Sequence, residues 1–300
     1  MTNIRTVPEA IGDSPGDRTA GSAAERGFAH RWRRLAAGRS PLCLGAAPST
    51  AWLRAWNLPD EIGGAQRYCE LVLDGAVAVA GFRVQTPFFL RFGQPGFELL
   101  RWFTDRAHEQ GSAVLLDAKI VDAPDTMASY ADLYLGPDSA LGGDAVTACA
   151  HMGFESLEPL LDLSRAAGAA VFIMVRTSNH DADAVQRSVG PDGRTVAQAL
   201  ADAVTGWNAR HEGTGVFSAA AAVLGARQPE SDELAQRLPH AILEVPGLGR
   251  ADRRTEEVLA PVADRLESCL LTVTTGVLRE GPDPAALRAS LARWRGEIGF

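Results

Sequence analysis

One aspartate and one lysine stand two residues apart in the stretch LLDAKIVDAPDTMASYADLY, residues 115–134. Lys119 is the chain's single lysine; every other member of its 29 Lys and Arg residues is an arginine. Ala, Arg and Gly are used heavily, as in proteins from GC-rich genomes, so a lysine that survives such a background carries more information than one among many. If the apolar run before it is a strand, Leu115, Asp117 and Lys119 share one face and Leu116 and Ala118 the other. Asp122 follows on the next loop. An ammonium between two carboxylates stays protonated, because opposite charges favour its charged form. Such a group can serve as a general acid toward a developing carbanion. Two other readings fit the same residues. One is an ion-pair network that plugs the fold, although buried ionic groups contribute little stability. The other is a divalent-metal site on Asp117 and Asp122, with Lys119 incidental.

Eight short apolar runs can position these groups: 41–45, 76–85, 112–119, 144–150, 169–175, 214–225, 241–247 and 269–277. Their starts are spaced by roughly 25–45 residues, the size of one strand-plus-helix unit. The runs are almost continuously apolar, as parallel strands covered on both faces require. Helical spacing of apolar residues predicts helices over 95–111, 153–168, 194–210 and 283–299. The third begins at a threonine suited to capping and the fourth carries Pro284 at its start. Alternation of this kind predicts a single (β/α)8 TIM barrel over 26–300. The alternative, an open doubly wound sheet, usually carries a glycine-rich turn after its first strand, and GAAPS at 45–49 is not one. Residues 1–25 are rich in Gly, Pro, Ser and charge without apolar periodicity, and read as a disordered extension. In a barrel, Asp117 and Lys119 fall at the C-terminal end of strand three, where barrel active sites lie.

Composition narrows the classes further. The 300 residues are 46% hydrophobic and 22% charged, with net charge −8. The acidic balance and scattered arginines argue against a nucleic-acid partner. No apolar run approaches the ~20 residues of a membrane span, and no signal-peptide core is present, so a cytoplasmic protein with no membrane partner is expected. Cys43, Cys69, Cys149 and Cys269 show no metal spacing and read as reduced thiols, mostly buried.

The DAKxxD motif followed by TMxxYA resembles the orotidine 5′-phosphate decarboxylase family, especially its longer bacterial branch. The resemblance runs from about Phe28 to the C-terminus. It includes PLCLG at 41–45, QTPFFLRFG at 85–93, DAVTACAHMGFESL at 144–157, TSN at 177–179, DGRTVAQAL at 192–200, PGLG at 246–249 and LREGPDPAALR at 278–288. It implies expulsion of CO2 from a pyrimidine nucleotide by a Lys–Asp–Lys–Asp array, with a small-molecule substrate and no metal or organic cofactor. Carried over by motif, Asp117 destabilises the substrate carboxylate and Lys119 protonates the vinyl carbanion. Asp122 reaches into the neighbouring subunit's site, which implies a homodimer. The lone lysine then persists because arginine does not replace ammonium chemistry.

Departures from the family pattern concentrate on ribose and phosphate. Ala47 stands where an aspartate holds the ribose, and Arg83 where the array has its first lysine. Cys149-Ala150 replaces a serine-proline, and Thr275-Gly276 replaces the arginine-glutamate whose arginine grips the phosphate. Gln85 and the Gly247/Gly249 loop survive. Each lost charged hydrogen bond is worth roughly 1.5–3 kcal/mol, so orotidine 5′-phosphate itself is expected to bind poorly. Arg176, Arg227 and Arg250, after strands five, six and seven, are candidates to replace the missing arginine. His151, Asn179 and His180 at strand ends are candidate substrate contacts, and Glu244 inside the strand AILEV needs a partner if it faces inward. The expected function is a diverged carboxy-lyase on an altered, non-phosphorylated, nucleoside-like or natural-product substrate. A barrel repurposed for isomerisation, cyclisation or aldol-type chemistry is the alternative, and a non-catalytic relative the third.

Overall fold

The computed structural model describes residues 27–212, 217–226 and 228–300; residues 1–25, read as an extension, lie outside these. Eight parallel strands close into a barrel in sequence order, with β8 paired to β1. They are β1 (Leu42–Ala46), β2 (Gly81–Gln85), β3 (Ala113–Ile120), β4 (Ala145–Ala148), β5 (Ala170–Arg176), β6 (Ala220–Leu224), β7 (Leu243–Leu248) and β8 (Cys269–Val273). The principal helices are α1 (Phe28–Gly38) before the barrel and α2 (Ile62–Gly75), α3 (Gln94–Glu109), α4 (Pro124–Tyr134), α5 (Glu158–Ala166), α6 (Val196–Glu212), α7 (Ser231–Arg237), α8 (Thr255–Leu259) and α9 (Pro284–Glu297), one after each strand. This is the TIM barrel expected from the alternation of apolar runs.

Three runs were longer by four residues or more than the strands they contain. Residues 76–80 of the second form the turn into β2, where Val77 is exposed. In the sixth, pairing begins only at Ala220, and 213–216 lie outside the described residues. The last run bends after Val273 into a short helix, Thr275–Leu278. Helix starts follow local chemistry. Thr195 and Gln198 form a reciprocal capping box, the Gln198 N–H donating to Thr195 Oγ1 at 3.1 Å and the Thr195 N–H to Gln198 Oε1 at 2.8 Å. Asp283, ahead of Pro284, accepts from the Ala285 N–H at 3.0 Å.

Strand alternation separates two apolar regions. Leu44, Phe82, Val84, Leu116, Val146, Ile173, Leu243 and Val273 pack outward under the helices. Cys43, Leu115, Ala145, Phe172, Ala221, Ile242 and Leu270 point inward and pack with Phe28, Trp32 and Ala36 of α1, which closes the N-terminal end of the barrel. Small inward residues leave room for Trp32, whose indole N–H donates to the Cys269 carbonyl at 3.0 Å. With that end plugged, the interior is open to a ligand only from the C-terminal mouth. Among the described residues no helix is long and apolar enough to cross a membrane.

Candidate active site

The inward alternation that builds the apolar plug turns polar toward the mouth. The same faces present Arg83 and Gln85 on β2, Asp117 and Lys119 on β3, Thr147 on β4, Glu244 on β7 and Thr272 on β8. Asp117 is the hub. Its Oδ1 accepts from Lys119 Nζ at 2.6 Å and from the Thr147 hydroxyl at 2.9 Å. Its Oδ2 lies 2.7 Å from Lys119 Nζ and 2.7 Å from an Arg83 Nη2. Burial alone would raise this carboxyl, but Arg83, Lys119 and the two hydrogen bonds outweigh it and hold Asp117 below the usual carboxylate range. The Asp117 side chain is 0% exposed and that of Lys119 43%, so the ammonium faces the mouth above a buried counter-ion.

The backbone at Lys119 is unusual. Its φ is +50°, one of two positive values at non-glycine residues among the described residues. The left-handed conformation costs an L-residue roughly 1–2 kcal/mol. It ends regular pairing of β3 with β4, whose register shifts between Leu116 and Ile120, and the freed Lys119 N–H donates to Thr147 Oγ1 at 2.8 Å. Strain held in place by its surroundings is typical of functional positions.

Glu244 does face inward. It is wholly buried, its Oε1 accepts the Thr272 hydroxyl at 2.6 Å, and it lies 3.6 Å from Arg83 Nε. Burial pushes its carboxyl up despite the nearby guanidinium. Arg83 therefore bridges two carboxylates, Asp117 and Glu244, with 15% of its side chain exposed.

The other expected residues fall differently. Asp122 accepts from the adjacent Ala123 N–H at 2.8 Å at the start of α4. His151, Asn179 and His180 are exposed on the mouth loops, with Asn179 accepting from the Thr177 hydroxyl at 2.6 Å. Gln85 is half-buried beside Arg83. Gly247 (φ +119°) and Gly249 (φ +74°) line the β7 end, and a Cβ on Gly249 would come within 2.7 Å of the Gly276 backbone. Thr275 is exposed and Gly276 buried.

At the ribose position, Ala47 is buried and its N–H donates to the Tyr68 hydroxyl at 3.2 Å. Of the three arginines considered as phosphate ligands, Arg176 is ruled out by its own bonding. It is fully buried and donates to Glu230, Asp183, Gln186, Gln228 and the Thr177 carbonyl, stapling the β5 loop to the β6 loop. Arg250 pairs with Asp252 on an exposed loop, and Arg227 lies outside the described residues.

Sequence reasoning passed over four groups here. Thr147 and Thr272 could have been found as inward positions of their strands. Thr274 could not: its side chain occupies the space over Gly45, where a Cβ would lie 1.9 Å from its Oγ1. Nor could Arg253, whose guanidinium lies against Gly247.

The comparisons agree with this architecture. A family model described as orotidine 5′-phosphate decarboxylase / HUMPS family matches residues 40–288. An orotidine 5′-phosphate decarboxylase of Myxococcus xanthus is 41% identical over 268 residues, covering 89% of this chain and 93% of its own. One of Streptomyces coelicolor is 35% identical over 272 residues, covering 90% and 96%. A crystal structure from Streptomyces avermitilis, of a protein assigned as an orotidine 5′-phosphate decarboxylase, superposes with TM-score 0.84 at 33% identity, covering 91% of this chain and 94% of that one. With a matching model over most of its length and relatives above 30% identity along nearly all of theirs, the chain belongs to the orotidine 5′-phosphate decarboxylase / HUMPS family.

Proposed function

We infer that this chain is a carboxy-lyase whose substrate is a nucleoside-like or natural-product carboxylate without a 5′-phosphate. One observation carries the reading. The only lysine is held in a strained conformation at the barrel mouth, bonded to both oxygens of a buried aspartate and still partly open to solvent. In the proposed reaction a C–CO2 bond breaks and its electron pair stays on the ring carbon. Lys119 transfers an ammonium proton to that carbon and is reprotonated from water. Asp117 places negative charge beside the substrate carboxylate, which leaves as neutral CO2. A general acid of this kind contributes about 10²- to 10⁴-fold in rate.

Named relatives act on orotidine 5′-phosphate, but the exposed Thr275 and the buried Ala47 supply neither the cation nor the carboxylate that its phosphate and ribose would meet. By the resemblance, the active unit is a homodimer in which Asp122 crosses to the neighbouring site. The buried Glu244 supports a second reading, a barrel turned to other acid–base chemistry, since the array then holds an extra carboxyl.

An ultraviolet assay of the purified protein with orotidine 5′-phosphate, orotidine and orotate, with Lys119→Ala as control, tests the reading. Turnover of orotidine above its phosphate ester, lost in the variant, is the expected result. Equal or better turnover of the ester defeats the substrate claim, and no turnover of any carboxylate by a folded protein defeats the carboxy-lyase reading. Thr275→Arg should strengthen binding of the phosphate ester by about tenfold to a hundredfold. Light scattering, with activity regained on mixing Lys119→Ala and Asp122→Ala chains, checks the shared site.

A further inference from the structure

Glu244 is a buried carboxyl at the mouth that the reaction above leaves without a role. An apolar side chain on β7 would fill its space without desolvating a charge, and replacing buried ionic groups by apolar ones is often neutral or stabilising. Stability therefore does not explain a carboxylate here. Its surroundings are specific. Arg83 of β2, Asp117 and Lys119 of β3 and Thr272 of β8 all act on it electrostatically or by hydrogen bonding. Its Oε1 takes the Thr272 hydroxyl and lies 3.6 Å from Arg83 Nε, while its Oε2 and that Nε are buried without hydrogen-bond partners. Arg83 is thus flanked by two carboxylates at adjacent nitrogens, Nη2 by Asp117 and Nε by Glu244. A lysine ammonium can reach two carboxylates but its donors rotate about a single point; a guanidinium holds its donors in a rigid planar fork, so two flanking anions fix its orientation.

We propose that Glu244 is a positioning residue that holds Arg83 at Nε, beside the Nη2 that Asp117 takes, keeping Asp117 seated against Lys119 and leaving the exposed part of the Arg83 side chain to meet the substrate's carboxylate. The assignment rests on the carboxy-lyase reading for its substrate, but its geometric half stands apart from it. Arg83 and Glu244 form one unit that takes the place of a single lysine.

The unique lysine supplies a reporter that needs no ligand. Protein grown with ¹³C,¹⁵N-lysine shows one lysine side-chain signal, that of Lys119. Its chemical shift is compared at fixed pH in wild type, Glu244→Gln, Arg83→Gln and the double variant, none of which adds a lysine, with thermal melting to show each is folded. The expected result is that Glu244→Gln displaces the signal, and that the double variant displaces it no further than Arg83→Gln alone, because Glu244 acts through Arg83. With a substrate in hand, Glu244→Gln should lower kcat by about tenfold to a hundredfold and change KM by less than about threefold. A Lys119 signal that coincides with wild type in Glu244→Gln, or two single effects that add, overturns the proposal. Should Gln fail to fold, Glu244→Leu makes the same comparison with a side chain suited to the apolar neighbours. If no carboxylate is turned over, the carboxy-lyase reading falls, and the Lys119 signal still decides whether Glu244 positions the array.

Discussion

Two arginines at the mouth of this barrel, one fully buried and one partly exposed, are built on opposite plans. Arg176, at the end of β5, is saturated: Nε on Glu230, Nη1 on Gln186 and the Thr177 carbonyl, Nη2 on Asp183 and Gln228. Arg83, in the middle of β2, is not. It touches two carboxylates, its Nε has no hydrogen-bond partner, and part of it reaches the mouth. A buried charge whose every donor is met holds loops together. One left with an unmet edge, next to a strained lysine and a carboxyl raised by burial, stays at a cost that only the chemistry of the site explains. A buried arginine at the end of a barrel strand is therefore no sign of a ligand until its donors have been followed one by one.

The contrast can be broken most directly at its functional pole. Lys119→Ala should reduce turnover of the substrate by about 10²- to 10⁴-fold while urea denaturation finds a folded protein; turnover within threefold of wild type would remove Lys119 from the chemistry. At the structural pole, Arg176→Ala strands Glu230 and Asp183 and should cost about 3–5 kcal/mol in unfolding free energy, read by urea titration. If Arg176→Ala leaves stability intact, the distinction between the two arginines fails. The pH dependence of Glu244→Gln sharpens the comparison. Burial raises the Glu244 carboxyl above its usual value of 4.5. A raised folded-state value means that the group's contribution is fully present below the unfolded value and is lost as pH rises through the folded one. Wild type should therefore lose stability relative to Glu244→Gln as pH climbs above about 4.5, and unfolding free energies that stay parallel from pH 4.5 to 8 would contradict the burial argument. The smallest effect concerns strain. At φ +50° glycine relieves what alanine does not, so Lys119→Gly should be more stable than Lys119→Ala by about 1 kcal/mol, measurable as a shift in the urea midpoint.

Much of this was legible in the chain. Continuous apolar runs at regular spacing gave away the barrel because strands covered on both faces leave no room for polar alternation. The pairing of Asp117 with Lys119 followed from the two-residue period alone. The ends of runs were harder to read. Residues 76–80 are apolar enough, and 274–277 (Thr-Thr-Gly-Val) β-branched enough, to join a strand, but a turn and a short helix claim them, since side-chain character reports burial and propensity and not conformation. The distinction between Arg176 and Arg250 was also invisible, since both follow a strand and only their neighbours in space separate a staple from a surface ion pair. His151 and His180, equal candidates by position, both sit exposed on the mouth loops.

Local patterning, then, determined the fold class, the inward face of each strand and the end at which the chemistry gathers, because period and burial are properties of a segment and its immediate neighbours. Only the closed barrel decided that Arg83 and Glu244, far apart in the chain, meet beside Asp117. The closed barrel likewise placed Thr274 over Gly45 and bent Lys119 into a left-handed conformation against Thr147. These are contacts between strands that no segment encodes alone, and they arise when closure forces eight inward faces into one small volume.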